Sequence, residues 1–299
     1  DRMCSVPRFW EKVYAGVQEK IAETTGIKKA LMLDAIRVGK IHNIDYLRKG
    51  KTPPLMLHLK YQFYEKTVYS LLKKTIGIEN GNFFPTAGAA VPDEICEFVH
   101  SVGINMLVGY GLTESTATVS CFQNSGYEIG SVGTVMPDVE VKIGENNEIL
   151  LRGKTITKGY YKKAEATAEA IDKEGWFHTG DAGYLNGDCL YLTERIKDLF
   201  KTSNGKYISP QALETKLAID RYIDQIAIIA DQRKFVSALI VPMYGFVKDY
   251  AKEKGIEYKD MEELLQHPKI IGLFRARIDT LQQQFAHYEQ VKRFTLLPE

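Results

Sequence analysis

Asp181 and Arg195 stand fourteen positions apart, on either side of what reads as a tight strand–turn–strand, close enough for both side chains to reach one ligand. A carboxylate accepts hydrogen bonds from both hydroxyls of a ribose, and a guanidinium offers rigid donors to hydroxyl or phosphate oxygens. The pair suits a nucleotide sugar; read alone, it suits a surface salt bridge beside a turn equally well. The surrounding stretch, 175–206, reads GWFHTGDAGYLNGDCLYLTERIKDLFKTSNGK. Thr179-Gly180-Asp181 is expected to form a turn with an acidic tip, followed by a short strand around Cys189 to Leu192. The charged connector Glu194-Arg195-Ile196-Lys197-Asp198 suggests an edge strand leaving one domain for another.

A second group of chemically varied residues sits earlier, in Gly109-Tyr110-Gly111-Leu112-Thr113-Glu114-Ser115. It offers a ring that can stack, glycines that permit tight backbone, hydroxyls and one carboxylate. Before it lies Ala87-Gly88-Ala89-Ala90, whose small side chains let either a ligand or a packed helix approach the backbone.

These groups need elements to hold them. Asn82 to Thr86 reads as a short buried strand, Pro92 to Val102 as a helix with Ile95, Phe98 and Val99 inward, and Ile104 to Val108 as a second strand. Such a β-α-β order leads both strands into glycine-rich turns at the carboxyl edge of an α/β sheet, where ligands bind. Upstream, Pro7 opens a helix with Phe9, Val13, Val17 and Ile21 on one face, and residues 49–54 forbid regular structure. A second amphipathic helix is expected through Leu59, Phe63, Leu71 and Leu72 to Gly77. Beyond Thr116 the pattern becomes short strands, with Val139, Val141 and Ile143 returning through Ile149 and Leu151, and predicts a β subdomain, a small barrel or folded sheet. Ala164 to Ile171 reads as a surface helix. Ser209-Pro210 predicts a capped helix to Ile219, Ile223–Ala230 and Phe235–Val241 a hairpin, and residues 244–287 a mostly helical stretch. The expected fold is α/β with an added β subdomain and a small α+β C-terminal domain.

Composition narrows the classes. The 299 residues are 44% hydrophobic and 26% charged, with a net charge of +1, so the chain carries enough apolar content for a packed core and no overall basic footprint for nucleic acid. Four cysteines, at 4, 96, 121 and 189, show neither C-x-x-C spacing nor a histidine at zinc-ligand distance, which points to reduced thiols. The longest apolar runs fall far below the roughly 20 residues that cross a bilayer. Asp1 is followed at once by mid-domain sequence and Thr295 to Glu299 stop without a closing element, so a piece of a longer protein is expected.

The assembled motifs carry a resemblance. VPRFWEKVY, TAGAAV, GYGLTES, EILLRGKTITKGYY, GWFHTGDAGYL and ERIKDLFKTSNGKYISPQALE, in that order, resemble the adenylate-forming acyl-CoA synthetases, most closely the long-chain fatty-acid CoA ligases. The resemblance covers most of residues 1–240 and implies a partial adenylate-forming fold: residues 1–194 as part of the large AMP-binding domain (α/β to about 115, β subdomain 116–194), 195–200 as a hinge, and 201–299 as an incomplete small mobile domain. It implies that Gly88 and Ala89 lie along an adenine ring, that Tyr110 stacks on its face, that Thr113 touches phosphate and that Glu114 holds Mg²⁺. Asp181 would bind the ribose hydroxyls with Arg195 reinforcing it, Lys197 would be the hinge residue, and Lys201 with the Ser203-Asn204-Gly205 turn would face the site in a second pose. His178 is read as supporting its turn rather than transferring protons.

The implied reaction activates a fatty acid with ATP to acyl-AMP and passes the acyl group to CoA as a thioester, with Mg²⁺ as cofactor. The implied setting is cytoplasmic, with room for peripheral attachment at the inner membrane face, and self-association through apolar helix faces is a further expectation. The sequence departs from the family in two places: it holds no Ser/Thr/Gly-rich phosphate loop ending in Pro-Lys-Gly, and the family's C-terminal lysine falls beyond Glu299. The chain by itself is therefore expected to be inactive and to bind ATP weakly or not at all. Two rivals stand beside this reading: a fatty acyl-AMP ligase that loads a carrier protein, and a non-catalytic nucleotide-binding module. No G-x-S-x-G elbow supports a hydrolase.

Overall fold

The structure, a computed structural model, describes residues 2–203 and 205–298. Asn204 and the side chain of the expected hinge residue Lys197 lie outside the described residues. The chain divides into two compact units, Asp1–Thr193 and Glu194–Glu299.

In the first unit, α1 (Pro7–Glu23) begins with proline in its first turn, where a missing N–H leaves no bond unmade. Phe9, Val13 and Val17 pack partly buried against the core and Ile21 is buried, as their spacing predicts. The centre of that face is Trp10, fully buried, whose Nε1 donates to Ser5 Oγ and Thr86 Oγ1, both at 2.9 Å. One indole thus ties α1 to the end of the first strand. α2 (Gly26–Gly39) runs into a π-helical turn, Lys40–Tyr46. Gly39 is glycine of necessity, since a Cβ there would lie 1.9 Å from the Ser101 carbonyl oxygen.

Next come α3 (Leu55–Tyr64), a second π turn (Glu65–Tyr69) and α4 (Ser70–Thr75). Here one expectation is corrected. Leu59, Phe63 and Leu71 are 51%, 56% and 63% exposed, while Tyr64 and Tyr69 are buried, with Leu57, Tyr61, Val68 and Leu72 packed beside them. The helix carries two apolar stripes, and the inward one has hydroxyls that find partners: Tyr64 donates to Asp34 Oδ2 and Tyr69 to the Ala35 carbonyl, each at 2.6 Å.

β1 (Phe84–Thr86), α5 (Asp93–Ser101) and β2 (Met106–Tyr110) form the expected β-α-β unit, with the strands parallel and Thr86 opposite Val108. The β-rich stretch is a sheet rather than a barrel, and it continues from β2. β3 (Ser120–Cys121), β4 (Thr134–Val135), β5 (Val139–Ile143) and β6 (Glu148–Gly153) are followed by α6 (Ala164–Ala170), β7 (Phe177–Asn186) and β8 (Cys189–Arg195). The order across the sheet is β1-β2-β3-β4-β8-β7-β6-β5. The β5–β6 hairpin turns through Asn146 and Asn147, both left-handed at φ 54° and 60°, a conformation asparagine tolerates.

Two readings of the 175–206 stretch change. Thr179-Gly180-Asp181 is not a turn: β7 runs through it, and the chain reverses only after Asn186, at Gly187 (φ 58°). Nor is β8 an edge strand, since it lies between β4 and β7. Mixed charge at its end marks the boundary between units, which falls within β8, and not a sheet edge.

The second unit opens with an antiparallel pair, β9 (Phe200–Lys201) and β10 (Tyr207–Ile208). α7 (Pro210–Leu217) follows, and its start rests on Pro210, since Ser209 makes no capping bond. β11 (Ile223–Ile229) and β12 (Val236–Pro242) form the predicted hairpin. α8 (Tyr244–Glu253), α9 (Met261–Gln266) and α10 (Pro268–Leu281) cover it with buried Val247, Leu264, Phe274 and Ile278. An unexpected strand, β13 (Val291–Leu296), adds parallel to β12, so Thr295 belongs to a sheet rather than to an open end. Among the described residues no helix is long and apolar enough to cross a membrane.

Candidate nucleotide site

Because β1 and β2 are parallel, their carboxyl ends open on one edge of the sheet, and Gly88, Ala89 and Tyr110 sit at that edge. Residues 87–90 are exposed, and a Cβ on Gly88, at φ 95°, would meet nothing within 4 Å. Of the two objects the small residues admit, no packed helix is there among the described residues.

Tyr110 is 8% exposed and its ring packs in the cluster of Val119, Leu151, Phe177 and Leu190. Its hydroxyl donates to Asp181 Oδ2 at 2.7 Å, across 71 positions of sequence. A donor to a carboxylate makes a charge-assisted bond, stronger than a neutral one, so this contact aims the Asp181 side chain toward the strand-end edge.

Asp181 is held from behind by a bulge. β6 and β7 pair Leu150 with His178 but Glu148 with Ala182, so three residues of β7 face one of β6. Gly180 supplies the left-handed backbone that the bulge needs, at φ 74°. Thr179 Oγ1 donates to the Ile149 carbonyl at 2.7 Å and accepts from the Asp181 amide at 3.0 Å. Glu148 closes the arrangement: one oxygen accepts the Gly180 amide at 2.9 Å and the other meets His178 Nδ1 at 2.9 Å. His178 therefore braces the segment that carries Asp181, the supporting role expected of it. Glu148 was not singled out from sequence. Its signal was slight, one acid opening an apolar strand.

Thr113, Glu114 and Ser115 form a single 3-10 turn after β2. Ser115 is fully buried, its Oγ bonded to both the amide and the carbonyl of Leu112. Thr116 and Ala117 take positive φ, 53° and 79°, and Gly111 permits this fold-back, since a Cβ there would lie 1.6 Å from the Ala117 carbonyl oxygen. Non-glycine residues in that region store strain that the surroundings must hold. The holding segment is 155–160: Thr157 N–H donates to the Glu114 carbonyl at 2.7 Å, Thr116 Oγ1 to the Thr155 carbonyl at 2.7 Å, and Tyr160 OH to Glu114 Oε1 at 2.9 Å. The Glu114 carboxylate raises the Tyr160 phenol above its ordinary pKa. Thr113 is exposed on the outer side of the turn.

Arg195 and Lys201 belong to the second unit. Arg195 pairs with Asp198 at 3.7 Å, and Lys201 Nζ lies 5.7 Å from the centre of the Tyr207 ring. Among the described residues no group of three or more His, Cys, Asp or Glu could hold a metal by itself. A single carboxylate still fits Mg²⁺, which is commonly held by one or two carboxylates together with substrate phosphates. Glu114, at the strand-end edge, is a donor of that kind.

The chain is 30% identical to long chain acyl-CoA synthetase 7, a peroxisomal protein of Arabidopsis thaliana, over 99% of its own length and 43% of the relative's. It is 29% identical to the long-chain-fatty-acid–CoA ligase FadD15 of Mycobacterium tuberculosis, over 98% of its own length and 48% of that protein's. The chain thus spans less than half of these two relatives. Its fold matches the adenylation domain of a carboxylate reductase from Mycobacterium chelonae, with a TM-score of 0.69 at 20% identity over 99% of this chain and 41% of that one. Residues 2–161, more than half the sequence, match the AMP-binding enzyme family, and the chain belongs to that family.

Proposed function

We propose that the chain forms part of a long-chain fatty-acid CoA ligase and supplies the surface that grips the nucleoside of ATP and of the acyl adenylate. The observation that carries this reading is the Tyr110–Asp181 hydrogen bond, which joins two family motifs at the carboxyl edge of the sheet. Asp181 accepts from the ribose hydroxyls, the open backbone at Gly88 and Ala89 lies along the adenine, and Tyr110 orients Asp181 while offering what ring edge remains exposed. Arg195 reinforces the ribose contact. Thr113 would donate its hydroxyl to phosphate, and Glu114 would hold Mg²⁺ beside it. When bound, that ion neutralises charge developing on the phosphates.

In the first half-reaction a carboxylate oxygen of the fatty acid attacks the α-phosphorus, the bond to the bridging oxygen breaks and pyrophosphate leaves. In the second, the CoA thiol gives up its proton to solvent, its sulfur attacks the acyl carbon, the bond from that carbon to the AMP oxygen breaks and AMP leaves. We assign Lys197 as the hinge about which residues 201–299 move between the two steps, with Lys201 entering the site in the second. The setting we propose is cytoplasmic, with peripheral membrane attachment compatible with the substrate.

The test is pyrophosphate release and thioester formation by the complete ligase across short, medium and long fatty acids. Release that depends on a long-chain acid, followed by thioester formation with free CoA, is the expected result. Transfer to a carrier protein in place of CoA would overturn the choice of acceptor.

A further inference from the structure

Tyr160 belongs to the EILLRGKTITKGYY segment, to which no role in the nucleotide site is assigned, yet its hydroxyl donates to Glu114 Oε1 at 2.9 Å, 46 positions away. Its backbone is fixed from two sides. The Tyr160 amide donates to Thr167 Oγ1 at 2.9 Å, and its carbonyl accepts from the Lys163 amide at 3.1 Å. Gly159, at φ 138°, brings the chain so close to α6 that a Cβ would lie 2.5 Å from Thr167 Cγ2. Tyr160 is 36% exposed, so core packing does not dictate where the phenol goes. Its place is set by a rigid backbone at one end and by the Glu114 carboxylate at the other.

The same segment bonds the turn that carries Glu114 at two further points, Thr157 to the Glu114 carbonyl and Thr116 to the Thr155 carbonyl. The first involves Glu114 only through its main chain, and the second holds the neighbouring Thr116. Of the three, the Tyr160 bond is the one that reaches the carboxylate, and it does so on one named oxygen.

We infer that Tyr160 is a positioning residue for Glu114: by engaging Oε1 it holds the carboxylate in one rotamer and presents Oε2 to Mg²⁺ shared with the nucleotide phosphates. This rests on the assignment of Glu114 as the metal-binding acid. A carboxylate that must be ordered before it can coordinate binds metal more weakly, and outer partners of ligating groups are worth roughly 10–100-fold in metal affinity.

The experiment uses the complete ligase with Mn²⁺ as probe and a non-hydrolysable ATP analogue, with free Mn²⁺ read from its paramagnetic resonance signal. Tyr160→Phe is expected to weaken Mn²⁺ binding about tenfold, at the lower end of that range. The Mg²⁺ concentration for half-maximal rate should rise by a similar factor while kcat at saturating Mg²⁺ stays within about twofold, the pattern of lost binding rather than lost transition-state contact. The melting temperature of the metal-free protein should not move. Unchanged Mn²⁺ affinity in Tyr160→Phe, with Glu114→Ala abolishing it, would overturn the role of Tyr160 and leave the proposed reaction standing. Unchanged affinity in both variants would overturn it together with the metal role of Glu114. A lowered melting temperature with unchanged metal binding would make Tyr160 a structural strap and nothing more. Pyrophosphate release by the unaltered enzyme, measured on the same preparation, tests the proposed reaction separately.

Discussion

The hydroxyl of Tyr110 donates to the Asp181 carboxylate, and that makes it a sharp place to cut. Tyr110→Phe keeps the buried ring and removes only the bond to Oδ2. A hydrogen bond to a charged group is worth about 1.5–3 kcal/mol, so up to a hundredfold rise in KM for ATP is within reach, and about tenfold is expected. Initial rates of the complete ligase against ATP concentration check it. Asp181→Ala should impair ATP use more severely still while shifting the urea midpoint little, because the carboxylate is partly exposed and the bulge is held by Thr179 and Glu148. Equal losses of ATP use and stability would show the residue to be structural. Asp181 was legible as a candidate site residue from its motif. The Tyr110 partner was not, because the bond closes only when residues 71 positions apart share one sheet.

At the scale of elements, the bulge in β7 shows where local patterns mislead. A Thr-Gly-Asp run has the composition of a turn, and the sequence holds nothing that tells a turn from a bulge; the difference is made by Glu148 on the neighbouring strand. Glu148→Ala would leave the Gly180 amide and His178 without that acceptor, at a cost of about 1–3 kcal/mol for lost bonds in a partly buried site. Because Asp181 rides on the same bulge, KM for ATP should rise alongside the loss in urea stability, and a stability loss with KM unchanged would show that the bulge does not set the aim of Asp181. Elements whose partners are close in sequence were legible: the β5–β6 and β11–β12 hairpins and the β1-α5-β2 unit appear where their patterns put them. β13 was not, since it pairs in parallel with a strand some fifty residues earlier, and parallel pairing leaves no hairpin signal. The inward face of α3 and α4 was misread because two apolar stripes competed, and the π turn between the helices shifts their phase.

At the scale of the molecule, the two units have separate cores, and both tryptophans, Trp10 and Trp176, lie in the first. Tryptophan fluorescence therefore follows the unfolding of residues 1–193 without a contribution from the second unit. The first unit holds His100 on α5, 6% exposed, stacked 4.5 Å from Tyr127, with Nε2 lacking a hydrogen-bond partner. Burial pushes its pKa down from 6.5 to about 4, with Arg48 adding in the same direction and a main-chain bond at Met106 opposing. The folded state thus keeps the imidazole neutral, whereas the unfolded chain protonates it near 6.5. The stability this contributes is fully present above that value and is lost as the pH falls from there toward 4. Between pH 7 and pH 5 the loss from this one group is about 2 kcal/mol, and His42, also depressed by burial, adds in the same sense. Urea unfolding followed by tryptophan fluorescence at the two pH values should show at least that difference. His100→Gln, whatever its own stability, should shrink the difference by about 2 kcal/mol, because glutamine does not titrate. If the variant keeps the full pH dependence, His100 is not the neutral group that α5 buries, and the acid sensitivity of the first unit has another source.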